Sequence, residues 1–270
     1  MDDLTPEARA KILELLEEAR REIAADVAST PWQGYQQPKL IAAIDAHMER
    51  FGAEVKKELK DDLDRQFAAG ESWVDAQLQD AGISVAQFPD ISTQALVAMQ
   101  SDLATRITNL TADATAEIQK SLSLGLLGGK TPFETMELMG RSLTDGGTFS
   151  TIARRAEMIV REEFGRTFRK ASWLRTQTAA QRVSGLKKQW VHAGHPRVPR
   201  PSHVELHGTV LDPATPFQVW NDTDAVMEEA QFPKDPVLSA ANSINCECIA
   251  RPWKESWNLA LPELKLKKAS

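Results

Sequence analysis

Cysteine occurs only twice in this 270-residue sequence, at positions 246 and 248. Two thiols one residue apart cannot make a framework of cross-links, so no disulfide scaffold is expected, and the chain is expected to fold in a reducing cytoplasm. No run of about 18 apolar residues occurs, so no segment is expected to cross a membrane. The opening stretch, MDDLTPEARAKILELLEEARRE, lacks the basic start, apolar centre and small-residue cleavage site of a secretion signal. Also missing are a His-Glu-x-x-His helix, a Gly-x-Ser-x-Gly elbow and a paired-carboxylate motif, which removes the commonest signatures of hydrolytic enzymes. What remains is globular composition: 42% apolar and 26% charged residues, enough for one large domain or two ordinary ones.

The net charge of −6 is unevenly spread. Residues 1–149 hold 14 Lys and Arg against 25 Asp and Glu, residues 150–190 hold 10 against 3, and residues 191–270 hold 8 against 10. One basic segment therefore lies between acidic or neutral ones. Such a segment can contact phosphates or an acidic partner face, or it can neutralise the acidic half of its own molecule. At 100° per residue, Arg154, Arg161 and the Arg169–Lys170 pair come nearest to a common stripe, whereas Arg155 and Arg166 are displaced around the axis. Arg161, Arg169 and Lys170 are thus the candidate contact residues.

Residues 1–190 read as successive helices. Thr5, Pro6 and Glu7 make a start signal for a helix reaching about Ala28. A linker at 31–38 is followed by helical stretches over 39–70 and 71–81. Residues 91–124 carry the most regular pattern: Leu96, Met99, Leu103, Ile107, Leu110, Ala114, Ile118 and Leu122 recur every three or four positions. This stripe needs a partner, either another helix of the chain or a neighbouring subunit, and Leu103 and Ile107 at its centre are its candidate contacts. The segment GLLGGKT at 125–131 has only three residues between its first glycine and Gly-Lys-Thr, and it follows a helix; a phosphate loop needs four and follows a strand. It is read as a helix stop followed by a capping box opened by Thr131 and Glu134. Ser150 then caps a helix on which Glu157 and Arg161 stand in the order that favours an ion pair.

Near Gly185 the texture changes. Four of the seven tryptophans and nine of the fourteen prolines lie beyond it. Short apolar stretches at 188–191, 209–211, 217–220 and 248–253, broken by Pro, Gly and Asp, read as short strands. The expected fold class is α+β: a long-helix N-terminal region over 1–149, a basic linking helix over 150–185, a small mixed α/β domain with short strands over 186–258, and a mobile tail over 259–270.

Four landmarks occur in order along 150–253. They are R-A-E-M-I-V-R-E-E at 155–163, an aromatic strand start at Trp190, R-P-S-H-V-E-L-H-G-T-V at 200–210, and F-P-K-D-P at 232–236 followed by A-x-x-x-I-N-C-E-C at 240–248. Together they resemble the phage Mu F-like minor head proteins, the phage head morphogenesis family. Glu162 stands where that pattern has Thr, Lys234 where it has a loop Gly, and Glu247 where it has Arg between the cysteines; His195, Pro196 and Arg197 replace a common Asp-x-Arg. Lys234 suits its place only if the backbone there does not need positive φ. The resemblance implies a minor capsid component of a tailed phage or prophage. Such a protein enters the procapsid in low copy number, associates with the portal protein and other capsid proteins, and is found in the host cytoplasm during assembly and in the virion afterwards. It implies no catalytic activity; contact with packaged DNA and self-association into a homo-oligomer remain open.

The histidines and cysteines form a separate signal. Four of the five histidines fall within 192–207, and both cysteines lie downstream. His203 and His207 would share a face of a helix, and Cys246 and Cys248 a face of a strand. Two nitrogens and two sulfurs suit a closed structural zinc site. Some members of the resembled family carry a Cys-x-x-Cys pair in the 200–203 region, where Arg200 removes one of those positions here. The competing reading is that the cysteines fill space and His203 holds a Pro-rich loop by hydrogen bonding. A third reading, a metal-dependent hydrolase or nuclease, would add Glu205, Asp222 and Asp224; a fourth is a purely helical oligomeric scaffold built on the 96–122 stripe. Either staple or metal requires His203 to lie close to a cysteine sulfur.

Overall fold

The computed structural model of the chain describes residues 4–30, 36–144, 146–192 and 199–257. Five helices come first: α1 (Leu4–Ser29), α2 (Gln37–Asp80), α3 (Gln94–Leu127), α4 (Pro132–Met139) and α5 (Gly147–Ala180). Seven short elements follow: β1 (Lys187–Val191), α6 (Pro201–Glu205), β2 (Val210–Leu211), β3 (Phe217–Asn221), β4 (Val226–Ala230), α7 (Ala240–Ser243) and β5 (Ile249–Trp253). This is the expected α+β class. His195, Pro196 and Arg197, most of the 31–38 linker, Asp145 and the 259–270 tail lie outside the described residues.

The chain divides into two compact units, one of Met1–Asp62 with Ala98–Arg161 and the other of Leu63–Val97 with Glu162–Ser270. The divisions fall inside α2, α3 and α5, because each of these helices is long enough to lend a stretch to both units.

In the first unit the α3 stripe is buried from Met99 to Leu122, with Leu103 2% and Ile107 0% exposed. Ile12, Leu16 and Ile23 of α1, Ile44, Met48 and Val55 of α2, and Ile152 and Val160 of α5 are buried in the same unit. The stripe's partner is thus the chain itself. A Cβ at Gly52 of α2 would stand 2.6 Å from Thr111 Oγ1, so a side chain there would force α2 and α3 apart. Arg155 donates to Asp113 at 2.6 Å and Arg9 to Glu157 at 2.8 Å. The first of these places a basic residue of α5 on the acid of its own unit. Between α3 and α4, Thr131 Oγ1 accepts from the Glu134 amide while the Glu134 carboxylate accepts from the Thr131 amide, which is the expected capping box and no phosphate loop.

In the second unit α2 runs unbroken through Gly70, where the sequence suggested a division. The glycine serves packing: a Cβ there would lie 2.3 Å from the Phe168 carbonyl oxygen, and Ser172 donates to the Gly70 carbonyl at 3.0 Å. Arg175 makes a two-pronged contact with Asp75 at 2.6 and 2.8 Å and donates to the Pro89 carbonyl at 2.9 Å, which ties α5 to α2 and to the loop after it. The strands form two antiparallel sheets, β2-β1-β5 and the hairpin β3-β4. Strand β4 escaped the sequence reading because, of Val226, Met227, Glu228, Glu229 and Ala230, only Ala230 is buried, so no apolar alternation marks it. Trp190, Phe217, Val219, Phe232, Leu238 and the two cysteines pack as one core.

Lys188 of β1 is buried in this unit, 1% exposed, with its ammonium over the Phe217 ring at 4.9 Å and donating to the Gln231 carbonyl at 2.8 Å. Burial pushes its pKa down to about 7 from 10.5, with Asp235 opposing the shift. Between these values the unfolded chain holds a proton that the folded chain has released, so the stability contributed through this group rises as pH increases across the window. Comparing unfolding free energies at pH 7 and pH 9.5, the wild type should gain on the order of a few kcal/mol relative to Lys188→Met. Parallel pH profiles for the two proteins would contradict this.

Candidate metal centre

Three separate segments of the second unit meet at one place. Helix α6 starts after Arg200 with Pro201 at its first position, and the Arg200 guanidinium donates to the Ile244 carbonyl at 2.6 Å. This bond ties the start of α6 to the turn leading into β5. In that turn Asn245 takes a left-handed conformation at φ 57°, and the following residues bury Cys246 and Cys248 while Glu247 points outward. From α5, Arg169 donates to the carbonyls of Cys248 at 2.6 Å and Cys246 at 3.4 Å. A buried guanidinium thus fixes the backbone on which both sulfurs are carried.

His203 Nδ1 lies 3.5 Å from Cys246 Sγ and 3.7 Å from Cys248 Sγ, and the three donor atoms all lie within 4.8 Å of one another. All three residues are buried, at 2%, 2% and 3% exposure. The His203 ring stands edge-on to Trp190, with centroids 5.6 Å apart and planes at 87°. The Cys246 thiol is held well below its ordinary pKa by the hydrogen bond from Cys248, and by His203 and Arg169, against burial; the same bond and burial push Cys248 up.

The donor set fits a borderline-soft metal. Two sulfurs and one imidazole nitrogen suit zinc, and no oxygen ligand that a hard cation would require belongs to the group. The expected proximity of His203 to the cysteines is present, but the four-ligand set is not. Helix α6 ends at Glu205, so His207 leaves the face it would have shared with His203, and its Nδ1 instead accepts from the His192 amide at 3.0 Å. Glu205, Asp222 and Asp224 do not belong to the group either.

The candidate contact residues also divide. Arg161 is exposed on α5, whereas Arg169 is only 4% exposed and faces the cysteine carbonyls, so it is unable to dock on a partner. Lys170 is half-buried, with its ammonium 4.3 Å from the Trp173 ring centre. Leu103 and Ile107 are core residues.

One pair was missed in the sequence. Lys234 forms a buried ion pair with Glu162, and the other Glu162 oxygen accepts from the Asn245 amide at 2.9 Å. The signal was available: two of the departures from the family pattern, at 162 and 234, carry opposite charges. Lys234 also has φ 66°, so this position does need positive φ, contrary to the condition under which Lys was expected to suit it. The ion pair is the compensating interaction.

No protein-family profile matches the chain. No solved structure matches it. It is similar to the Uncharacterized protein YqbB of Bacillus subtilis (strain 168), with 36% identity over 91 residues, or 33% of this chain. The matched stretch spans 28% of that relative's length.

Proposed function

We propose that the chain is a minor head protein of a tailed phage or prophage, of the Mu F-like kind, which joins the portal vertex during procapsid assembly and genome packaging or delivery. The observation that supports this reading is the convergence of its motif segments. Glu162 of the first segment holds Lys234 and the Asn245 amide, both of the fourth. His203 of the third meets both cysteines and lies edge-on to Trp190 of the second. The proposal assigns no reaction, since the only metal-ligand group found among the described residues is buried and includes no carboxylate. An acidic chain is repelled from bulk DNA, which favours a protein partner, with Arg154 and Arg161 as exposed basic residues of the α5 stripe.

The test is whether the genome that encodes this chain also encodes a portal and a major capsid protein, and whether procapsids assembled from those proteins take up the co-expressed chain. It should co-purify in low copy number, and its incorporation should depend on the portal. Absence from portal-containing procapsids would overturn the proposal.

A further inference from the structure

We propose that His203 Nδ1, Cys246 Sγ and Cys248 Sγ bind one zinc ion, which staples α6 to the turn entering β5. The donor spacing suits the ion. Zinc binds sulfur at about 2.3 Å and imidazole nitrogen at about 2.0–2.1 Å, so at a tetrahedral angle sulfur and nitrogen stand roughly 3.6 Å apart. The two sulfur–nitrogen distances here are 3.5 and 3.7 Å. Both distances match that spacing, and the three donor atoms lie within 4.8 Å of one another.

The positions of the donors are also set by other bonds. Arg169 holds both cysteine carbonyls, Arg200 holds the Ile244 carbonyl, and Glu162 holds the Asn245 amide, so the turn is fixed on either side of the sulfurs. Trp190 fixes the plane of the imidazole. A space-filling role for the cysteines explains their burial but does not require both sulfurs to face one imidazole nitrogen.

The charges are consistent with burial. Each coordinating thiol gives its proton to solvent and the imidazole binds neutral, so one divalent ion and two thiolates sum to zero. Because the described residues supply three ligands, the fourth tetrahedral position of zinc is taken by a ligand outside this set. This metal assignment is independent of the portal reading.

The experiment uses the full chain without a histidine tag, expressed in zinc-supplemented medium, with metal content measured by elemental analysis. About one zinc per chain is expected. The protein refolded with cobalt should show a thiolate-to-cobalt charge-transfer band, and a strong chelator should lower its melting temperature. Cys248→Ser and His203→Ala should lose zinc, while His207→Ala should retain it. Folded wild-type protein with less than about a tenth of an equivalent of zinc and no cobalt–thiolate band would overturn the site, whatever the variants do. Stoichiometric copper in place of zinc would overturn the identity of the metal, and loss of zinc in folded His207→Ala would overturn the three-ligand assignment.

Discussion

Lys234→Ala should destabilise the second unit by about 3–5 kcal/mol, because it leaves the Glu162 carboxylate buried without its cation. The Lys234 and Glu162 side chains are only 4% and 8% exposed, so water cannot replace either partner. Glu162→Ala should cost as much, since it also removes the acceptor of the Asn245 amide. The informative variant is the double replacement Glu162→Thr with Lys234→Gly, which installs the residues of the resembled family at both positions. It removes both buried charges together, and glycine accepts the left-handed backbone at φ 66° that costs a lysine about 1 kcal/mol. Denaturant unfolding should therefore place the double variant closer to wild type than Lys234→Ala or Glu162→Ala, with a coupling of about 2 kcal/mol or more in the cycle that uses Glu162→Thr and Lys234→Gly singly. Additive losses would mean that the two departures arose independently and do not compensate each other.

The same pair shows what the sequence made legible and where legibility ended. Helix positions could be read because burial follows a period of three or four along α3, and the capping box at Thr131 and Glu134 is a local signal of four residues. Contacts across long separations left no such local trace. Glu162 and Lys234 are 72 positions apart, and each looks like an isolated exception until the fold joins them. His207 misled for the opposite reason: its spacing from His203 fits a helical face, but α6 stops at Glu205 before that face reaches it. The basic segment looked like a docking stripe because charge was counted without burial. Arg155 is engaged by Asp113, Arg166 by Glu163 at 2.9 Å, Arg169 by backbone carbonyls and Arg175 by Asp75. Arg155 and Arg175 meet acids of residues 1–149, as the neutralising reading expects, whereas Arg166 and Arg169 are held inside the second unit by Glu163 and by backbone carbonyls.

Replacing both Leu103 and Ile107 with aspartate should abolish the cooperative folding of the first unit. The two side chains are 2% and 0% exposed, and neither has a cation among the apolar residues that form this stripe. Each carboxylate must either stay ionised in an apolar core or take up a proton at a cost of several pKa units, and the lost packing of Leu and Ile adds to this. The combined penalty exceeds about 5 kcal/mol, comparable with the whole stability of an ordinary domain. Circular dichroism should show a large loss of helix and no sharp melting transition. Leu127→Asp, at a position 87% exposed at the end of the same helix, should change stability by no more than about 0.5 kcal/mol. Sedimentation separates this result from a role in self-association. If the double variant keeps the wild-type melt and changes only its sedimenting mass, the stripe joins copies of the chain and the intramolecular core is wrong. If it unfolds while Leu127→Asp remains folded with unchanged mass, the regular pattern at 96–122 is the core of a single chain, and contacts with any partner must use a different surface.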